Sequence, residues 1–360
     1  MTKRTIALLL TGLSYLSRAQ SIKVPLDSTH WVIQAKTFGK DFFAGKECIR
    51  LAEGFMVLKD DGFLNGRIEF DMAVPGERGF PGLGFRMADL DNGEIYYLRP
   101  HQSGNPDAMQ YYPEYHGSGG WQLYYGEGFN KAHAVPKNEW IHLRLEVKGS
   151  QAEVYLNQEP EPALFIASLK RPPAEGAIAL LNDMPSTARF ANFTYEKTDA
   201  IKIKSPAVPP AKLPEGSITN WSVSTVFDEA RLKGVYKIDQ HKFADLSWTR
   251  LLADDRGVAD LSRLSGLKPS QNTVFMKLNI PSAKTAIRKF SFGFSDKIVV
   301  YLNGKILYSG SDEFLSRDYR FLGTIGFFDS VYLPLNKGKN ELWLAVSENI
   351  GGWGVQAKLD

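Results

Sequence analysis

Residues 95–112 read IYYLRPHQSGNPDAMQYY and combine strand-forming, charged and aromatic side chains. Period-two alternation places Tyr97, Arg99 and His101 on one solvent-accessible face of a strand, with Leu98 on the opposite, buried face. Arginine and asparagine donate paired hydrogen bonds to vicinal hydroxyls or to a carboxylate, and aromatic rings supply flat apolar surface for a pyranose ring. The pattern therefore predicts a ligand-binding face. Its predicted residues are Arg86, Tyr97, Arg99, His101, Asn105, Asp107, Gln110, Tyr112 and Trp121.

The same residues allow two other interpretations. Arg99 could pair with Asp107 in a polar strand face that binds no ligand. Alternatively, His101 or Asp107 could act as a general base in a catalytic site. The pattern favours binding over catalysis, but it assigns no catalytic residue and leaves all three interpretations open.

Alternation of apolar and polar residues indicates strands along most of the chain. Residues 140–148 alternate strictly, and Gly149-Ser150 turns the chain into a second alternating run. Asn92-Gly93 and Asn303-Gly304 are typical of tight hairpin turns. Aromatic residues make up 12% of the chain, which also favours strands over helices. We therefore predict an all-β protein.

A proline-rich stretch divides the chain. Residues 205–216 read SPAVPPAKLPEG, a composition that favours an extended, semi-rigid spacer. We predict two β-sandwich (jelly-roll) domains, residues 20–200 and 217–360, joined by a Pro-rich linker over residues 201–216.

Residues 1–19 have the pattern of a signal peptide. Lys3 and Arg4 precede an apolar run over residues 5–16, and Ser17-Arg18-Ala19 offers small residues for cleavage. The apolar run is too short to span a bilayer. We expect a periplasmic or secreted protein that is not inserted in a membrane after cleavage.

Charge and cysteine content exclude several classes of function. The chain has 43 Lys+Arg and 40 Asp+Glu, and removal of residues 1–19 leaves 40 of each. Without a basic block, nucleic-acid binding is not expected. Cys48 is the only cysteine, which excludes an intramolecular disulfide and cysteine-based zinc clusters. Residues 89–94 carry alternating oxygen ligands that calcium favours, but a hairpin turn explains them. No metal or cofactor is predicted, and a structural calcium elsewhere is left open.

Several strand-and-turn motifs lie between residues 66 and 196: GRIEFDMAV, GLGFRM, NGEIYYLRP, WIHLRLEVKGSQAEVYLN, GAIALLN and ARFANFTYE. Together they resemble a concanavalin A-like lectin/glucanase jelly roll, closest to laminin G-like modules and the bacterial 3-keto-disaccharide hydrolase domain. Residues 290–358 contain FGFSDKIVVYLNGKILYSG, VYLPLNKGKNELWLAV and GGWG. This second set resembles a galactose-binding-like jelly roll, as found appended to bacterial glycosidases and sugar esterases.

The first resemblance raises the question of glucanase chemistry. Retaining glucanases of that kind carry a Glu-x-Asp-x-x-Glu run whose two glutamates flank the scissile bond. Here Glu69 and Asp71 begin such a run, but Val74 stands where the second glutamate is required. We therefore interpret Glu69 and Asp71 as the polar face of an ordinary strand.

These observations lead to one preferred function and two alternatives. We expect an exported carbohydrate-recognition protein that binds a glycan on the polar, aromatic face of the first sandwich. The first alternative, which the resemblance implies, is a glycan-active hydrolase or lyase of the 3-keto-disaccharide hydrolase-like type. The second alternative is a structural or adhesive envelope protein.

Overall fold

The computed structural model describes residues 21–60, 62–318 and 320–360. Within that part of the chain, the regular elements are β-strands and four short 3₁₀ helices, at Pro100–Gln102, Glu229–Leu232, Gln240–Phe243 and Leu261–Arg263. The predicted all-β fold class is therefore confirmed. The predicted signal peptide, residues 1–19, lies outside the described residues.

Fourteen strands between residues 22 and 197 form one curled antiparallel sheet, which we call the first strand group. They are β1 (Ile22–Lys23), β2 (Trp31–Phe43), β3 (Lys46–Leu58), β4 (Gly66–Ala73), β5 (Gly82–Asp89), β6 (Asn92–Leu98), β7 (Met109–Tyr115), β8 (Ser118–Gly119), β9 (Asn130–Lys131), β10 (Trp140–Lys148), β11 (Gln151–Leu156), β12 (Leu164–Ile166), β13 (Ala177–Asn182) and β14 (Ala188–Lys197). The main order across the sheet is β12-β11-β10-β4-β14-β3-β13-β5-β6-β7-β8.

The predicted alternation explains how this sheet buries one face. Phe70 of β4 pairs with Leu143 of β10, and both side chains are fully buried in the same core cluster. Tyr96 and Leu98 of β6 join that core from the opposite part of the sheet. Because burial of apolar surface drives folding, the sheet curls until these faces meet.

Two of the three predicted hairpin turns are confirmed. Gly149 and Ser150 connect β10 to β11, and Asn303 and Gly304 form a turn with φ angles of 50° and 78°. The prediction for Asn92-Gly93 is wrong by two residues, since the turn lies at residues 90–91 and Asn92 already pairs with Asp89. The Asp89 carboxylate accepts hydrogen bonds from the Asp91 backbone N–H (2.8 Å) and from Asn92 Nδ2 (2.9 Å), which fixes the earlier turn.

Ten further strands form the second strand group. They are β15 (Asn220–Ser224), β16 (Trp248–Leu252), β17 (Val258–Asp260), β18 (Thr273–Ser282), β19 (Ala286–Phe294), β20 (Asp296–Leu302), β21 (Lys305–Asp312), β22 (Asp329–Leu335), β23 (Gly338–Ser347) and β24 (Gly354–Leu359). A six-stranded sheet, β16-β15-β18-β23-β20-β21, packs on a four-stranded sheet, β17-β24-β19-β22. Phe292 of one sheet and Leu344 of the other lie in the same buried cluster, as in a β-sandwich.

Polar contacts join the two strand groups. The Tyr124 hydroxyl donates to Asp260 Oδ2 at 3.2 Å, and both residues are buried. His116 Nδ1 lies 2.7 Å from the carbonyl oxygen of Ser262. The side chain of Lys170 is 5% exposed and forms ion pairs across the boundary, including one at 3.4 Å to Asp254. Buried polar groups of this kind are costly to separate from their partners.

The predicted linker has no regular structure over residues 206–214. Before it, the Glu153 carboxylate accepts hydrogen bonds from the backbone N–H groups of Lys204 (3.0 Å) and Ser205 (2.6 Å). The division of the chain into domains at residues 200 and 217 remains a prediction.

We predict that a proteolytic cut within residues 206–214 leaves two folded pieces that stay associated. The contacts of Tyr124, His116 and Lys170 should hold the pieces together, since the cut breaks no strand pairing. Size-exclusion chromatography of the cut protein at neutral pH, with intact protein in parallel, checks this. Elution of two separate small species would contradict it.

Candidate functional site

A cavity of about 300 Å³ lies beside β6 and β7, and we call it the aromatic cavity. It combines aromatic rings with charged side chains, and both strand groups contribute to it. Its lining residues are Arg78, Phe80, Tyr97, Arg99, His101, Gln102, Asp107, Tyr112, Trp121, Leu181, Asp183, Phe314, Leu322 and Ile350.

Arg99 is the central charged residue of the aromatic cavity. It is only 6% exposed, so it does not lie on an open strand face as the sequence predicted. Its guanidinium donates to the carbonyl oxygen of Asp107 (2.9 Å), to Gln110 Oε1 (2.5 Å) and to the Tyr97 hydroxyl. The Asp107 carboxylate lies 3.9 Å away. The charge is therefore held by nearby acceptors while the side chain still reaches the cavity.

Gln110 connects Arg99 to the segment that carries Trp121. Its Oε1 accepts from Arg99, and its Nε2 donates to the carbonyl oxygens of Trp121 and Tyr124, both at 2.7 Å. Gln110 is fully buried and lies behind the cavity wall. Sequence reasoning placed it among the ligand-binding residues, but its position makes it a residue that orients two others.

Five aromatic rings form a large part of the remaining wall. Tyr97 packs edge-on against Phe80 and Tyr112, with centroids 5.6 and 5.5 Å apart. Trp121 packs edge-on against Phe314 of the second strand group at 6.3 Å. The guanidinium of Arg99 lies 4.8 Å from the centre of the Tyr97 ring and 5.8 Å from that of the Trp121 ring, so the charge and the aromatic wall are in contact.

His101 is an uncharged polar group in this cavity. Burial, and then the positive charges of Arg78 and Arg99, lower the pKa of His101 below its ordinary value. This shift favours the uncharged imidazole at neutral pH, which can donate one hydrogen bond and accept another. Its Nδ1 atom is buried and has no hydrogen-bond partner among the residues that the structure describes.

Six of the nine predicted ligand-binding residues line the aromatic cavity: Tyr97, Arg99, His101, Asp107, Tyr112 and Trp121. The prediction for Arg86 is wrong. Arg86 has a φ of 51° at an irregularity in the pairing of β5 with β6, so the strand alternation breaks there. Its guanidinium donates instead to the carbonyl oxygens of Leu64 and Gly149, both at 2.7 Å.

Asn105 also lies outside the cavity. It is exposed in the loop after the first 3₁₀ helix, and its Nδ2 donates to Gln102 Oε1 at 2.6 Å. That bond orients Gln102, which does line the cavity. Asn105 therefore supports the loop and does not face the site.

Sequence reasoning missed eight lining residues: Arg78, Phe80, Gln102, Leu181, Asp183, Phe314, Leu322 and Ile350. The last three come from the second strand group, more than 190 residues along the chain from Trp121. The only local feature that marks these residues is that they are apolar side chains within polar loops, where Phe314 is 39% and Ile350 65% exposed. Arg317 of the neighbouring loop is paired with Asp312 and with Asp329.

Glu69 and Asp71 form a separate polar cluster outside the cavity. Asp71 accepts hydrogen bonds from Lys46 Nζ (2.6 Å), Asn192 Nδ2 (2.7 Å) and His142 Nδ1 (2.9 Å), and Glu69 lies 3.8 Å from His142 Nε2. Burial opposes ionisation of Asp71, but these donors outweigh it and lower its pKa to about 2. Hydrogen bonds to Asp71 and Glu69 raise the pKa of His142 to about 9. These pairings match the interpretation of an ordinary polar strand face.

Besides the aromatic cavity, the described residues contain a larger groove and no metal-binding cluster. No group of three or more His, Cys, Asp or Glu side chains in the described part of the chain is arranged to hold a metal ion. A larger groove of about 1200 Å³ lies on the second strand group, but no aromatic ring lines it. Its Lys297 lies 3.4 Å from Glu229 and 3.7 Å from Glu313. None of the helices in the described residues is long and apolar enough to cross a membrane.

No family model matches the chain, and no curated protein matches it. Among solved structures, the chain is similar to the carbohydrate binding module CBM66 from Bacillus subtilis (21% identity, TM-score 0.36, covering 46% of this chain and 95% of that chain). It is also similar to the VIP36 exoplasmic/lumenal domain (11% identity, TM-score 0.37, covering 51% of this chain and 90% of that chain). Another similar structure is Bacillus licheniformis β-glucanase (10% identity, TM-score 0.34, covering 49% of this chain and 98% of that chain). Each likeness covers about half of this chain.

Replacing Arg99 with alanine should destabilise the fold by roughly 1.5–3 kcal/mol, because it removes charged hydrogen bonds and leaves buried acceptors unpaired. Arg78→Ala is the matched control, since Arg78 lines the same cavity but is exposed and has no carboxylate partner among the described residues. It should change stability by less than about 0.5 kcal/mol. Urea unfolding of both variants checks this, and equal losses would contradict it.

His142→Gln should destabilise the protein most at mildly acidic pH. The folded-state pKa of His142, about 9, lies above its ordinary value of 6.5, so the stabilisation is complete below pH 6.5. It is lost as the pH rises through about 9. Because the side chain is 42% exposed, we expect a difference of only about 1 kcal/mol at pH 6. Unfolding curves at pH 6 and pH 9.5 test this, and a difference that grows with pH would contradict it.

Proposed function

We propose that this chain is an exported carbohydrate-recognition protein that binds a saccharide in the aromatic cavity. The observation that carries the proposal is the combination, in one cavity of about 300 Å³, of aromatic walls and charged hydrogen-bonding groups. Ligand cavities typically combine apolar lining with a few well-placed polar groups, and this volume is at their lower limit.

The polar groups suit hydroxyl recognition. Three of the five N–H groups of Arg99 donate hydrogen bonds to protein acceptors. The other two have no hydrogen-bond acceptor among the described residues, and the Asp107 carboxylate lies 3.9 Å from the guanidinium. Asp107 and Asp183 supply carboxylate acceptors in the same cavity. A pair of vicinal hydroxyls both donates and accepts hydrogen bonds, so a sugar ring can satisfy both kinds of group at once.

The aromatic walls suit the apolar faces of a sugar ring. Trp121 and Phe314 face the cavity from different strand groups, and Tyr97 and Tyr112 line it between them. A pyranose ring carries C–H groups on its faces and hydroxyls around its edge. It can therefore pack on these rings while its edge reaches Arg99 and Asp107.

One observation supports the alternative of a glycan-active hydrolase or lyase. His101 is held neutral by burial and by the charges of Arg78 and Arg99, and it lines the same cavity as Asp107. A neutral imidazole can accept a proton, as a general base must. Release of a reducing sugar or a keto product from bound glycans would favour this alternative. Absence of any glycan binding would favour the structural or adhesive alternative.

Trp121→Ala should weaken saccharide binding about tenfold, a loss of roughly 1.4 kcal/mol, because it removes one aromatic wall. Tyr332→Ala is the control, since Tyr332 is 67% exposed on β22 and does not line the cavity. Isothermal titration calorimetry with the saccharide selected from a glycan array measures both variants. Equal affinities for Trp121→Ala and wild-type protein would place the binding site elsewhere.

A further inference from the structure

We infer that the aromatic cavity receives the end of a neutral saccharide chain, not an internal segment and not an acidic glycan. The inference rests on the proposed function and specifies its ligand. Two independent properties of the cavity carry it: how the second strand group closes one side, and how the charges around it balance.

Loops of the second strand group form a wall across the cavity. Phe314 and Leu322 come from the segment between β21 and β22, and Ile350 comes from the segment between β23 and β24. Phe314 contacts the ring of Trp121 edge-on at 6.3 Å. The first strand group alone would leave this side of the site open.

Hydrogen bonds of Gln122 hold both loops in place. Gln122 N donates to the carbonyl oxygen of Gly351 at 2.7 Å, and Gln122 Nε2 donates to that of Leu322 at 2.8 Å. In return, Ile325 N donates to the carbonyl oxygen of Gln122 at 3.1 Å. One fully buried residue of the first strand group therefore fixes both loops beside Trp121.

The fit at Gly351 shows that this wall is closely packed. A Cβ atom at Gly351 would lie 2.2 Å from Gln122 Oε1, and the φ angle of Gly351 is 109°. Neither the space nor the backbone conformation admits a larger residue. The packing therefore leaves no gap between the loop at Gly351 and Gln122.

The volume agrees with a chain end. At about 300 Å³, the cavity is at the lower limit of ligand sites. It holds one or two sugar rings, whereas a glycan that continues in both directions needs a groove with two open ends. Because loops of the second strand group close one side, the cavity suits the terminal unit of a chain, or a free disaccharide.

The charges indicate a neutral sugar. Two guanidinium groups, Arg78 and Arg99, and two carboxylates, Asp107 and Asp183, line the cavity. Burial raises the pKa of Asp183 and, with the positive charges of Arg78 and Arg99, lowers that of His101. The formal charges cancel. A carboxylate or sulfate on the ligand would therefore meet as many negative as positive groups, whereas hydroxyls can pair with both.

The test uses the chain from residue 20 to 360 and titration calorimetry. The probes are neutral homo-oligosaccharides of two to six units (gluco-, fructo-, galacto-, manno-, xylo- and arabino-series) and oligogalacturonates of the same lengths. We expect one neutral series to bind, with one protein molecule on each oligosaccharide and affinities within about twofold across all lengths. Chemical blocking of the recognised end of the oligosaccharide should weaken binding about tenfold. The oligogalacturonates should bind at least about tenfold more weakly.

The outcomes distinguish failure of the inferred ligand type from failure of saccharide binding itself. Affinity that rises steadily with chain length, several proteins on one chain, or preferred binding of oligogalacturonates would overturn the inference while leaving saccharide binding intact. Failure of every saccharide to bind would overturn the proposed function, and the inference with it.

A variant tests the wall directly. Phe314→Ala should weaken disaccharide binding by about fivefold or more, since it removes the ring that packs edge-on against Trp121 in the cavity wall. Leu315→Ala is the matched control, because Leu315 is the next residue of the same loop, is 46% exposed and does not line the cavity. It should stay within about twofold of wild-type affinity. Equal affinities for the two variants would show that the second strand group forms no part of the site.

Discussion

The candidate site depends on one requirement, which is that the buried guanidinium of Arg99 keeps hydrogen-bond acceptors. A charge removed from water is costly unless it is paired. Here Tyr97, Gln110 and the carbonyl oxygen of Asp107 meet that need. Gln110 then uses its amide N–H groups to hold the backbone at Trp121. The polar part and the aromatic part of the cavity are therefore set by the same network.

Local patterns were sufficient to predict the strands. Alternation identified β4, β6, β10 and β11, and it put Leu98 in the core and Tyr97 on the other face. These predictions succeeded because strand periodicity depends only on neighbouring residues. The binding face over residues 86–121 stays a prediction, and six of its nine residues line one cavity.

The remaining details depend on geometry that a single strand pattern does not contain. Arg86 follows the alternation in sequence, but the irregular pairing of β5 and β6 turns its side chain towards Leu64 and Gly149. Phe314 and Ile350 reach the cavity through contacts between distant parts of the chain. An exposed apolar side chain in a polar loop signals a contact surface, but it does not name the surface that it meets.

The shared wall also links occupancy of the cavity to cohesion of the molecule. A ligand that touches Trp121 and Phe314 together binds only when the two strand groups are docked. By thermodynamic reciprocity, such a ligand stabilises the docked arrangement as much as docking strengthens its binding. At a concentration one hundred times its Kd, the gain is about 2.7 kcal/mol. A sugar in this cavity would thus stabilise the contact between the two strand groups, in addition to being the ligand that they bind.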